Sequence, residues 1–123
     1  MIAVEITRAR ANEKASGARG RICNLKVHGH ADSAVYGEDI VCAAASVTMY
    51  TTAGALVGLC GAREDCAEER DGFFEIAVPV FKDEKTEYAA EIITETAYIG
   101  FMQIEASYGK YIRVRMREEP EAL

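Results

Sequence analysis

Two residues able to do chemistry stand 12 positions apart: His30, closing an alternating stretch, and Cys42, in an alanine-rich one. A cysteine thiolate is a nucleophile, and an imidazole beside it can take up the thiol proton and later return it to a leaving amine. Asp39 is a preferred helix N-cap residue and would put Cys42 at the third helical position. There the unpaired amides and the positive end of the helix favour an anion, and the same amides are candidates for an oxyanion hole. Asp39 lies three residues before Cys42 and Ser46 four after, so both share its helix face. Asp39 could orient His30 or only cap the helix. Ser46 could donate to the sulfur or bond back to its own backbone. The competing reading of Cys42 itself is a small, inert, packed hydrophobe.

The elements that must position this pair follow from periodicity. Ile2, Val4 and Ile6 alternate with Ala3, Glu5 and Thr7, which predicts a strand with one buried face. The glycine-bearing segment 11–20 is a turn. Cys23, Leu25 and Val27 form a second strand, expected to pair with the first as a hairpin and to put Cys23 in the core. Residues 29–37 read as a loop, expected to order around a substrate and so bring the pair together. From Asp39 to about Leu59 the chain is rich in alanine and free of proline, and Gly61 suits its C-cap. A helix apolar or small nearly all round is expected to be buried.

Residues 62–72 are charged and read as a surface connection. Phe74, Ile76, Val78 and Val80 predict a third strand, with Pro79 marking an edge or its end. Tyr88, Ala89, Ile92, Ile93, Thr96, Ile99 and Gln103 keep helical spacing, giving a second helix over 84–107 closed by Gly109. Ile112, Val114 and Met116 alternate with Arg113, Arg115 and Arg117 in a fourth strand, and 118–123 is a frayed tail. The order ββαβαβ predicts one α+β domain over residues 1–123: a small, mostly antiparallel or mixed sheet with two helices packed on it.

Composition narrows the function. The 123 residues carry 14 Lys+Arg and 20 Asp+Glu, net −6, a poor balance for direct nucleic-acid binding and a better one for a basic partner. No apolar run reaches the roughly 20 residues of a membrane span, and the start resembles no signal peptide, so a cytoplasmic location and no membrane are expected. The four cysteines, Cys23, Cys42, Cys60 and Cys66, include no CxxC pair, so thiols are expected rather than a zinc site or disulfides. Cys60 and Cys66 read as spare thiols. A redox sensor would need a thiol within disulfide reach of Cys42, and none is close in sequence. His28 shares a strand side with His30 but lacks a third metal ligand. No metal or cofactor is expected. The Arg113, Arg115 and Arg117 row reads as a solvated face that could touch a partner. The acidic clusters 64–71 and 82–87 suit a lysine-rich peptide.

Gly29-His30-Ala31, Tyr36-Gly37-Glu38-Asp39-Ile40-Val41-Cys42-Ala43-Ala44 and Ser46 resemble the signature of the ribosomal-processing cysteine proteases, the Prp family. Tyr108, Tyr111, Ile112 and Val114 resemble that family's final element. Asp32 and Ser33 stand where a glycine and an aromatic residue are usual, and Ala45 where a larger aliphatic is. The resemblance implies a homodimeric bacterial endopeptidase without cofactor. Such enzymes remove the N-terminal extension of a large-subunit ribosomal protein precursor (bacterial L-twenty-seven), cutting after an aromatic pair. His30 and Cys42 match the catalytic residues, and Gly29, Ala31, Tyr36 and Gly37 fall in the substrate loop. The alternative is a non-enzymatic ribosome-assembly or interaction module with Cys42 merely packed.

Overall fold

The computed structural model describes residues 1–10, 20–29 and 36–119. Five strands, β1 (Ile2–Arg8), β2 (Ile22–His28), β3 (Ala67–Arg70), β4 (Phe73–Ala77) and β5 (Ile112–Glu118), accompany helices α1 (Tyr36–Cys60) and α2 (Glu84–Tyr108). The sheet order is β3-β4-β2-β1-β5. All its pairings are antiparallel except β1 with β5, which run parallel. Both helices pack on one side, burying Val4, Ile6, Leu25, Ile76 and Ile112 beneath them. The α+β class, the mixed sheet and the two helices are as expected, with one strand more than predicted.

That strand is β3, which lies in the segment read as a surface connection. Its residues Ala-Glu-Glu-Arg show no apolar alternation because β3 is an edge, where charges guard against unwanted pairing. The signal available was Asp71-Gly72, a two-residue link between strands. Gly72 sits at φ 72°, a conformation that favours glycine.

The buried face of α1 is Val41, Ala45, Met49, Thr52, Leu56 and Cys60 at helical spacing. It ends as expected: Gly61, at φ 76°, donates its amide to the Val57 carbonyl across 3.2 Å. The helix is not buried all round, however. The layer above the sheet is one helix deep, so Ile40, Val47, Tyr50 and Leu59 remain exposed. Among the described residues its stretch Asp39–Cys60, 22 residues, is long and apolar enough to cross a membrane by length and composition, contrary to the expectation from sequence. Alanines and glycines among larger apolar residues had hidden its length, and one face of it packs on the sheet.

Asp83 caps α2, its carboxylate accepting from the Thr86 amide at 3.0 Å. The buried stripe is Ala90, Thr94, Ala97 and Phe101. Most of the apolar stripe read from sequence points outward, with Tyr88 64%, Ile92 50% and Ile99 55% exposed. The helix carries apolar residues on two faces; small residues at Ala90, Thr94 and Ala97 allow close approach on the inner one, and Phe101 fills the core at its far end.

Two salt bridges pin α2 to the far ends of β1 and β2. Arg8 reaches both Glu95 oxygens at 2.5 and 2.8 Å. Arg21 meets Glu87 at 2.7 Å and donates to the Pro79 carbonyl. The β1–β2 register slips at Cys23: Thr7 pairs with Asn24 but Arg8 with Ile22. This bulge makes Ile22 the buried residue and leaves Cys23 half-buried, not in the core, its thiol donating to the Thr7 carbonyl at 3.5 Å. Cys60 and Cys66 are not spare loop thiols: Cys60 belongs to the core and Cys66 packs against it. β4 ends at Ala77, so Pro79 follows the strand and Val80 is solvent-exposed. Glu118 closes β5 rather than opening a tail, and 120–123 lie outside the described residues.

Candidate active site

A cleft of about 450 Å³ opens between α1 and the β3–β4 hairpin, bordered by the start of β1 and the end of β2. Cys42, Ala45, Ser46 and Met49 form its helix wall, successive turns of one face. Glu69, Arg70, Asp71, Gly72, Phe73 and Phe74 form the wall opposite, with Gly29 between. The fold therefore brings Cys42, Ser46 and Gly29 to one cavity. His30 and Ala31, and the ordering expected of the loop they begin, lie outside the described residues.

Gly29 is fixed by its backbone. Its φ is 102°, and a Cβ built there would stand 2.5 Å from the Met1 carbonyl oxygen. Its amide donates to the Gly72 carbonyl at 3.0 Å. The chain therefore leaves β2 through a position that only glycine fits, held against both the β1 start and the hairpin turn.

The expected helix start is corrected. The helix begins at Tyr36, so Tyr36 and Gly37, read as loop from sequence, open α1. Asp39 is an exposed residue of its first turn rather than the N-cap. Cys42 is the seventh helical residue, beyond the first four unpaired amides and the turn where the helix dipole acts strongly. The helix-end argument for a stabilised thiolate, and for an oxyanion hole from those amides, does not apply at Cys42. That leaves a neighbouring imidazole as the activating group offered by the sequence.

Ser46 makes neither of the two bonds considered for it: among the described residues its hydroxyl has no hydrogen-bond partner. Thr48 and Thr52, on the same helix, do bond back to the carbonyls four residues earlier, at 2.8 and 2.6 Å. The Ser46 hydroxyl is thus free to meet a group in the cleft.

From sequence the Phe74 strand was expected but its partner β3 was read as an acidic connection, so the hairpin as a cleft wall was missed. Tyr50 ties it to α1: its ring meets Phe74 edge-on at 5.2 Å and its hydroxyl donates to Glu69. Glu69 pushes the phenol above its ordinary pKa, first by this hydrogen bond. Arg70 is stacked over Phe73 at 4.2 Å and bonded to Glu68 at 3.1 Å, and among the described residues it pairs with neither Glu69 nor Asp71. Glu69 and Asp71 therefore give this wall negative charge. His28 bonds to Glu5 at 3.3 Å on the uncovered side of the sheet. Among the described residues no group of three His, Cys, Asp or Glu side chains could hold a metal ion.

Residues 1–113 match the family described as cysteine protease Prp. A ribosomal processing cysteine protease Prp from Staphylococcus aureus (strain Mu50) is 33% identical over 119 residues, 95% of this chain and 100% of that one. The Bacillus subtilis (strain 168) protein of the same name is 27% identical over 95 residues, 76% of this chain and 84% of its own. The crystal structure of S. aureus Prp with a substrate peptide is 30% identical, with TM-score 0.74 over 95% of this chain and 100% of that one. The S. aureus enzyme with a covalently linked product peptide is 31% identical, with TM-score 0.72 and the same coverage. A Streptococcus mutans structure at 23% identity shares the fold, with TM-score 0.72 over 97% of this chain and 96% of that one. The match along residues 1–113, with 33% identity over nearly the whole length, shows that this chain belongs to the Prp family and is a cysteine protease.

Proposed function

We propose that this enzyme removes the N-terminal extension of a large-subunit ribosomal protein precursor (bacterial L-twenty-seven), with Cys42 as nucleophile and His30 as general base and acid. The observation that carries the reading is Cys42 on the wall of the cleft that Gly29, the neighbour of His30 in sequence, also lines. His30 takes the thiol proton, and Cys42 Sγ attacks the scissile carbonyl. The tetrahedral intermediate expels the amine, which takes the proton back from His30. Water, deprotonated by His30, then releases the extension from the thioester. Relatives named for ribosomal processing, one of them solved with a substrate peptide, support this substrate class. The carboxylates of Glu69 and Asp71 on the cleft wall suit the basic chain of a ribosomal protein. The reading puts the enzyme in the cytoplasm, where ribosomes assemble.

The test is cleavage of a purified precursor by the wild type, Cys42→Ala and His30→Ala. Wild-type cleavage, abolished in both variants with the fold kept, is expected; cleavage by Cys42→Ala would overturn the assignment. A packed, non-catalytic Cys42 in an assembly module predicts no cleavage by any of the three.

The homodimer rests on a separate observation. The outer helix face leaves Val47, Ile92 and Ile99 exposed, and Val47 and Ile92 line an apolar groove of about 390 Å³ between α1 and α2. No charged residue interrupts α1 from Ile40 to Cys60. Large exposed apolar patches mark interaction sites. Light scattering is expected to give twice the chain mass for the wild type and the chain mass for Ile92→Asp.

A further inference from the structure

The helices cover one side of the sheet, and on the other side the charges are unevenly spread. The registers put Arg113 beside Ala3, Arg115 beside Glu5 and Arg117 beside Thr7. On the next strand His28, Lys26 and Asn24 continue those three rows. This half of the face thus carries Arg113, Arg115, Arg117 and Lys26 against Glu5, with Glu119, its carboxylate 3.7 Å from the Cys23 thiol, just beyond the end of the row. Glu75 and Glu68 lie on the other half, Glu75 bonded to Asn24 and Glu68 to Arg70.

Glu5 is already engaged away from the arginines. Its carboxylate lies 3.4 Å from the Lys26 ammonium and 3.3 Å from His28 Nε2. Arg115, its neighbour across the β1–β5 pair, has no ion pair among the described residues, nor has Arg117. Arg113 donates to the Gly109 carbonyl at 2.7 Å, and all three are exposed. Ala3 and Thr7 are short, so the row stands clear. It runs along β5, an open edge of the sheet.

We propose that this arginine row binds the phosphodiester backbone of RNA while the opposite side of the sheet carries the catalytic cleft. Side chains two apart on a strand repeat at about 6.6 Å. Arginines at evenly spaced positions along one strand fit a polyanion of regular charge spacing better than the irregular surface of an acidic protein, and guanidinium is the cation best shaped for phosphate. The net charge of −6 hides this, because most of the acids lie elsewhere, on the cleft hairpin, along α2 and at its start, although Glu118 and Glu119 follow the last arginine of the row. The inference rests on the proposed ribosomal substrate only for choosing RNA among polyanions. Its consequence is that the enzyme is held at RNA-bound precursor without using the cleft.

The test measures anisotropy of a labelled single-stranded RNA of about 20 nucleotides with the full chain. Three phosphate contacts predict that affinity falls about 20-fold between 50 and 200 mM salt. The variant carrying Arg113→Gln, Arg115→Gln and Arg117→Gln is expected to lose most of the binding and of the salt dependence. The corresponding triple Lys variant keeps the salt dependence, and both cleave a short precursor peptide as the wild type does. Unchanged RNA binding by the Gln variant would overturn the proposal. So would displacement of RNA by polyglutamate at equal charge, which points to an acidic protein instead. RNA binding through the row by an enzyme that cleaves no precursor would support this inference while sinking the proposed substrate.

Discussion

Gly29 donates its amide to the carbonyl of Gly72 across 3.0 Å, joining the end of β2 to the hairpin turn between β3 and β4. Both are in the left-handed region, with φ 102° and 72°. This contact links the strand that leads to His30 with the far wall of the cleft that holds Cys42.

Replacing Gly29 tests that link. In Gly29→Ala the new methyl meets the Met1 carbonyl oxygen and the backbone stays in a region that L side chains rarely adopt. A cost of about 1–3 kcal/mol is expected, with a larger relative loss of protease activity because the strand end must shift. Urea denaturation and peptide cleavage, run on the same preparation, measure the two effects. Full activity at wild-type stability would contradict the geometry.

The four thiols should react unequally. Burial, then the nearby Glu119, pushes the Cys23 thiol up; burial, then Asp65, does the same for Cys66. Cys60 is buried in the core, while Cys42 opens on the cleft. An alkylating probe near neutral pH is expected to label Cys42 first, read by peptide mass spectrometry, and His30→Ala is expected to slow that labelling. Equal rates at Cys42 and Cys23 would favour a merely packed Cys42.

The salt bridges holding α2 should matter more than surface pairs do. Arg8 and Glu95 are only 13% and 26% exposed as side chains, and their contact is two-pronged. Arg8→Ala leaves a mostly covered carboxylate without its strongest partner, a loss of about 1.5–3 kcal/mol. Arg10→Ala, whose partner Glu118 stands 3.9 Å away in a largely exposed pair, is expected to cost under about 1 kcal/mol. Thermal melts of the two variants make the comparison.

Asp83 gives a pH signature. The Thr86 hydroxyl and then its amide hold the carboxyl below its ordinary 3.8. A depressed acid stabilises the fold above its unfolded pKa, and that contribution disappears as pH falls through the folded value. Asp83→Ala is therefore expected to be less stable than the wild type at neutral pH. The difference should narrow as pH drops below the ordinary carboxylate range, read from denaturant midpoints along a pH series. A gap independent of pH would mean the cap works through shape alone.

Much of this was legible in the chain. Alternation at Ile2, Val4 and Ile6 and at Ile112 and Val114 specifies half-buried strands because successive side chains alternate faces. Helical spacing places α2 within a residue of its end, since 3.6-residue periodicity is local. The Gly-His-Ala and Cys-Ala-Ala segments pointed to the protease family, because nucleophile chemistry limits which residues can serve. Other features are not local. The charged strand β3 exists because β4 offers it an edge. Which stripe of α2 faces inward depends on which residues let it approach the sheet. The bulge at Cys23 follows from pairing with β1, and the start of α1 at Tyr36 overrode a good capping residue at Asp39. The same long-range pairing carries the Asp71–Gly72 turn to Gly29 and so closes the cleft around Cys42. Sequence determined the reacting residue types and the local elements; tertiary pairing decided which faces are covered and what surrounds the thiol, because those are energies of contact between distant segments.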